Sequence, residues 1–211
     1  MNEKNNLLER RLYTEQLKSF IDKPVIKVIT GIHRCGKSAL LELFQNDILQ
    51  YTDKNHIISI NFEDTQFDTI TNYKQLDEYI LSLMKDDKKY YIFLDEIQGV
   101  EQWEKCINSL RLKNTDIYVT GSNSHLLSSE LATLLSGRYV EFCLHTLSFS
   151  EFLDFRKKCA LGSENIDDEL EAYIKTGGFP ILSTNQFDSS SARKIVTDIN
   201  NSAVLRDVIE R

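Results

Sequence analysis

The sequence predicts an α/β fold, a parallel sheet covered by helices in three layers, and two observations carry that expectation. Short β-branched runs alternate with helix-length amphipathic segments through the first two thirds of the chain. The first of those runs, Val25 to Thr30, passes straight into a glycine loop that opens a helix. Parallel neighbours need a crossover connection, which the intervening helices supply, and ligands of such sheets lie beyond the carboxyl ends of the strands.

The elements follow in order. Tyr13, Leu17, Phe20 and Ile21 keep helical spacing within Leu7 to Ile21, and Asp22-Lys23-Pro24 then makes a turn. Strands are expected at Val25–Thr30, His56–Asn61, Tyr90–Asp95, Asp116–Thr120 and Tyr139–Leu144. Helices are expected between them near 38–48, 73–86, 101–113 and 123–135. Beyond the fifth strand the pattern is helical. Ser148 and Glu151 form a capping box, and a helix over Ile166–Lys175 stops at Thr176-Gly177-Gly178, with Phe179-Pro180 preventing its resumption. Ser189 to Ser191 reads as a loop before a last helix carrying Ile195, Ile199 and Ala203. That helix reaches Arg211 with no terminating residue, which predicts a chain cut short before a further domain.

At 211 residues and 41% hydrophobic, the chain can bury one sizeable core. No apolar run approaches bilayer length and the polar N-terminus has no secretory apolar stretch, so a cytoplasmic protein without a membrane span is expected. Cys35, Cys106, Cys143 and Cys159 lack zinc or disulfide spacing and read as reduced thiols. A net charge of -7 disfavours nucleic acid as the partner and favours a protein of unknown identity; Arg156-Lys157-Lys158 and Lys88-Lys89 are short runs of the kind found on solvated faces.

The most informative stretch is Gly31-Ile32-His33-Arg34-Cys35-Gly36-Lys37-Ser38, which matches G-x-x-x-x-G-K-[ST] between a strand and an amphipathic helix. Backbone N–H groups from Gly31 through Arg34, Cys35, Gly36 and on to Ala39 would cradle phosphate oxygens. Lys37 would neutralise the β and γ phosphates, and the Ser38 hydroxyl would ligate Mg²⁺. A bare glycine turn has no need of Lys and Ser at those offsets. The strand Tyr91-Ile92-Phe93-Leu94 then ends in Asp95-Glu96. Asp95 would hold the metal, and Glu96 would orient and deprotonate the attacking water. Ser122, after the strand ending at Thr120-Gly121, can reach the γ phosphate or serve only to cap the next helix. Cys35 could be an oxidation-sensitive thiol or simply a small loop residue, and the second reading is preferred. Trp103 belongs to a helical core stripe with Ile107 and Leu110.

These stretches, with Leu134-Leu135-Ser136-Gly137-Arg138-Tyr139, Leu147 to Phe152, Gly177-Gly178-Phe179-Pro180 and Val204-Leu205-Arg206-Asp207, resemble the AAA_14 family of AAA-type ATPases. Proteins of that family are usually followed by a DUF4143 domain. The resemblance implies a P-loop NTPase sandwich with sheet order 5-1-4-3-2 and a small helical C-terminal appendage. It divides the chain into residues 1–24 as a helix and turn, 25–146 as the ATPase core and 147–211 as the appendage. It also implies ATP with Mg²⁺ as ligands, and it gives Arg138 the place of an arginine finger, offered to a neighbour's nucleotide in a homo-oligomer or held within its own subunit. His33 departs from the Arg expected there, which removes one fixed charge beside the phosphates.

Two functions compete on this reading. One is an ATPase that couples hydrolysis to a partner or attached domain. The other is a slowly hydrolysing, nucleotide-gated binding module. A GTPase is disfavoured because Lys113-Asn114-Thr115-Asp116 has the wrong order for base reading.

Overall fold

The computed structural model describes residues 7–121, 135 and 137–209, the side chains of 203–209 excepted. The chain folds as two compact units. One comprises Met1–Thr30 and Lys37–Cys143, the other Gly31–Gly36 and Leu144–Arg211.

The first unit carries helices α1 (Arg11–Lys18), α2 (Lys37–Ile48), α3 (Tyr73–Leu83) and α4 (Trp103–Leu110), with strands β1 (Ile26–Thr30), β2 (Ile57–Asn61), β3 (Tyr90–Asp95), β4 (Thr115–Thr120) and β5 (Tyr139–Cys143). The sheet order is β2-β3-β4-β1-β5, the expected 5-1-4-3-2 seen from the other edge. Every pairing is parallel. All residues of β1 and β3 are buried, as a strand covered on both faces requires, whereas the edge strand β2 alternates.

Alternate residues of the inner strands face two apolar layers. Ile26, Val28, Ile92, Leu94, Ile117 and Val119 share one cluster with Leu76, Ile80, Trp103, Ile107 and Leu110. Trp103 is thus a core residue. On the other face Phe93 stacks on Tyr118 with ring centroids 4.8 Å apart, and Phe44 of α2 meets the same ring at 5.2 Å. That face also buries charge. Lys27 of β1 forms an ion pair with Asp116 of β4, and both are almost fully buried. Asp116 also accepts the Tyr118 hydroxyl at 3.0 Å and the Asp22 N–H at 2.8 Å.

Several boundaries differ from expectation. Helix α1 is shorter than Leu7 to Ile21, and α4 starts only at Trp103 because Gln102 takes a left-handed conformation, φ 56°. The helix expected over 123–135 lies outside the described residues, Leu135 excepted.

The second unit holds α5 (Phe149–Lys158), α6 (Ile166–Thr176), α7 (Pro180–Thr184) and α8 (Ser189–Ile209). The capping box at α5 is complete, and α6 ends on Gly177 with φ 75°. Two expectations are corrected here. Pro180 starts a short helix rather than preventing one, since its missing N–H costs nothing in a first turn. Ser189–Ser191 is the first turn of α8 rather than a loop, because the Asp188 carboxylate accepts the N–H groups of Ser190 at 2.8 Å and Ser191 at 3.0 Å. Phe179, Leu182, Ala192 and Ile199 form this unit's apolar cluster. Among the described residues, no helix is long and apolar enough to cross a membrane.

Candidate active site

Within the first unit, the register of the parallel strands brings the chemistry together. Leu94 pairs with Val119, so the next residue of each strand, Asp95 and Thr120, emerges at the same carboxyl edge. The Thr120 hydroxyl donates to Asp95 Oδ1 and accepts the Glu96 N–H at 2.9 Å. Ser38, at the start of α2, also hydrogen-bonds Asp95. Lys37 Nζ lies 3.2 Å from Glu96 Oε1, and both side chains are buried. Glu96 Oε2 accepts a hydrogen bond of 2.5 Å from Gln98 Nε2.

Glu96 sits in the left-handed region, φ 53° and ψ 47°, and is followed by a single 3₁₀ turn, Ile97–Gly99. A non-glycine residue in that region costs roughly 1 kcal/mol, and such strain concentrates at functional sites. Buried Ile97 anchors the turn. Burial raises the Asp95 carboxyl above its ordinary value; hydrogen bonds from Thr120 and Ser38 oppose the shift, the Glu96 carboxylate adds to it and the Lys37 ammonium opposes it.

Within the second unit, the loop Gly31–Gly36 has a backbone that its glycines make possible. A Cβ on Gly31 would sit 2.3 Å from the Leu144 carbonyl oxygen and 2.8 Å from Cys35 Sγ, so only glycine fits. Gly36 has φ 104° and Arg34 φ 63°, so the chain turns at both positions. Cys35 is buried, which favours the reading as a plain loop residue over an oxidation-sensitive one.

Of the other expected site residues, Arg138 is exposed, with Nη1 donating to Asn108 Oδ1 at 3.1 Å. Ser122 lies outside the described residues. Asp64, a carboxylate after β2 that is not among the expected site residues, caps the 3₁₀ turn Thr65–Phe67 by accepting the Gln66 N–H at 3.0 Å. Asp116 is engaged by Lys27, the Tyr118 hydroxyl and the Asp22 N–H. Arg156 pairs with Glu169 at 2.7 Å, and His56 with Asp86 at 3.1 Å. Among the described residues no group of three or more His, Cys, Asp and Glu could hold a metal. A hydroxyl and a carboxylate, Ser38 and Asp95, do suit Mg²⁺, which takes few protein oxygens and completes its shell with phosphate and water.

Sequence reasoning passed over Thr120 and Gln98. Each left a signal: Thr120 is a polar residue closing an apolar strand beside the acidic one, and Gln98 follows Glu96 by two positions.

The model of the AAA_14 family, described as an AAA domain, matches residues 23–153. An uncharacterised protein of Haemophilus influenzae is 40% identical over 208 residues, covering 97% of this chain and 51% of that protein. Another, from Methanocaldococcus jannaschii, is 34% identical over 192 residues, covering 88% and 42%. The chain thus spans about half the length of these curated relatives. Among solved structures, the Walker-type ATPase of Pyrococcus abyssi superposes with a TM-score of 0.55 at 16% identity, covering 99% of this chain and 76% of that one. AMPPCP-bound DnaA from Aquifex aeolicus gives 0.57 at 14% identity, covering 96% and 66%. Both are likenesses of fold.

Proposed function

The chain belongs to the AAA_14 family of AAA domains, and on that premise we propose that it binds Mg²⁺–ATP and hydrolyses it to ADP and phosphate. The observation that carries this reading is the convergence of Lys37, Ser38, Asp95 and Glu96 at the carboxyl ends of β1 and β3, fixed by Thr120. Lys37 would bind the β and γ phosphates, and Ser38 and Asp95 would hold the metal, which neutralises phosphate charge when bound. Glu96 would accept a proton from water as it attacks in line. The amides of Gly31, Arg34, Cys35, Gly36 and Ala39 complete the phosphate cradle by sequence position, and Ser122 is proposed for the γ phosphate. The wrong order of Lys113-Asn114-Thr115-Asp116 for base reading supports ATP over GTP. A cytoplasmic protein acting through a protein partner or an attached domain is the setting that fits this chemistry.

Phosphate release from Mg²⁺–ATP, measured for the wild type, Lys37→Ala and Glu96→Gln, tests the reading. Lys37→Ala is expected to lose ATP binding, and Glu96→Gln to keep it while turnover falls at least a hundredfold. Undiminished hydrolysis by Glu96→Gln would remove Glu96 as the base. The Lys37–Glu96 ion pair supports a second reading, a nucleotide-gated switch, because it occupies the base until phosphate draws the lysine away. Lys37-dependent binding with no measurable turnover is the outcome that favours the switch.

A further inference from the structure

Gln98 carries an atom that the hydrolysis described so far does not use. Its Nε2 donates to Glu96 Oε2, while its Oε1 is inaccessible to solvent and has no hydrogen-bond partner among the described residues. The orientation of the amide is determined by charge. Reversed, it would set a carbonyl oxygen against a carboxylate oxygen, so the donor must face Glu96 and Oε1 is left as the acceptor still to be satisfied. A buried acceptor left unpaired is destabilising, and a group kept in that state calls for a partner.

The two oxygens of Glu96 are held differently. Oε1 faces Lys37 at 3.2 Å, and Oε2 faces Gln98. When phosphate draws Lys37 away, Oε1 becomes free to accept a proton while Gln98 keeps the carboxylate from turning. An attacking water has two O–H groups, and a single carboxylate oxygen takes only one of them.

Resting on the proposed hydrolysis, we propose that Gln98 is a catalytic residue whose Oε1 accepts the second O–H of the attacking water, so that the water is held by Glu96 and Gln98 together. The water oxygen forms a bond to the γ phosphorus as the bond from that phosphorus to the β–γ bridging oxygen breaks, its electron pair leaving with ADP. One water proton passes to Glu96 and then to solvent. The other stays on the transferred oxygen, hydrogen-bonded to Gln98.

Gln98→Ala and Gln98→Leu, compared with the wild type, test this through single-turnover phosphate release and the affinity for a fluorescent ATP analogue. The expected result is a rate roughly tenfold to a hundredfold lower with the dissociation constant within about twofold of wild type. Unchanged affinity also certifies that the variants are folded at the site. A rate within about threefold of wild type overturns the proposal, and so does a loss carried by affinity in both variants, which would make Gln98 a structural residue. The wild type separates the two levels of inference. Binding without turnover removes the role of Gln98 and leaves nucleotide binding standing, whereas no Lys37-dependent binding removes both.

Discussion

Asp95 illustrates at the scale of one residue how a site trades stability for chemistry. Its carboxylate is almost fully buried, and burial is the largest influence on it, raising it from its ordinary 3.8. A carboxylate whose folded value is raised keeps its proton longer in the folded state than in the unfolded one. Stability therefore falls as pH rises from the unfolded value toward the raised folded one. Asp95→Asn removes that penalty and keeps an acceptor for Thr120. It is expected to stabilise the nucleotide-free protein at pH 7 by about 1 kcal/mol, with the gain shrinking as pH falls through 4, while Mg²⁺–ATP turnover is lost. Thermal melts at pH 7 and pH 4 check this; a lower melting temperature at pH 7 would refute it. The sequence revealed Asp95 because its neighbours in the chain, an apolar strand and Glu96, announce it. It did not reveal Thr120, because the partnership across β3 and β4 depends on a register that separates the two residues by 25 positions.

At the scale of elements, β1 and β4 are joined through their side chains as well as their ladder. Lys27 and Asp116 lie in adjacent buried strands, and burial lowers the Lys27 ammonium while Asp116 opposes the shift. Removing one member strands the other without compensation. Asp116→Ala is expected to cost about 3–5 kcal/mol in urea denaturation, and Lys27→Met combined with Asp116→Asn to recover a large part of it. If the double variant is no more stable than Asp116→Ala, the cost lies in the Tyr118 and Asp22 hydrogen bonds rather than in the unpaired charge. Strand periodicity and parallel pairing were legible because β-branched runs and crossover lengths are local features, whereas the strand order followed only from the family resemblance. Helix ends were less so. The left-handed Gln102 that delays α4 and the Asp188 cap that starts α8 early depend on backbone and side-chain choices that several neighbouring residues could equally have made.

At the scale of the whole molecule, the chain spans about half the length of its curated relatives. Arg138 is the residue proposed for assembly: it is exposed, and its guanidinium donates to the neutral amide oxygen Asn108 Oδ1. If it serves a neighbouring nucleotide, specific ATPase activity rises with protein concentration, and Arg138→Ala flattens that rise without weakening ATP binding. Activity of Arg138→Ala that matches wild type at every concentration would exclude the finger.

The sheet order has a further consequence, in the time the protein takes to be made. Strand β1 is synthesised first but pairs with β4 and β5, and its Lys27 finds Asp116 only 89 residues later. On a ribosome that gap lasts on the order of ten seconds, during which Ile26, Val28 and Ile29 have emerged with no ladder to join. Contacts of such long separation make folding slow and expose apolar strands to aggregation meanwhile. Lys37 and Ser38 are thus translated well before Glu96 and Asp95, the partners they meet at the edge of the sheet.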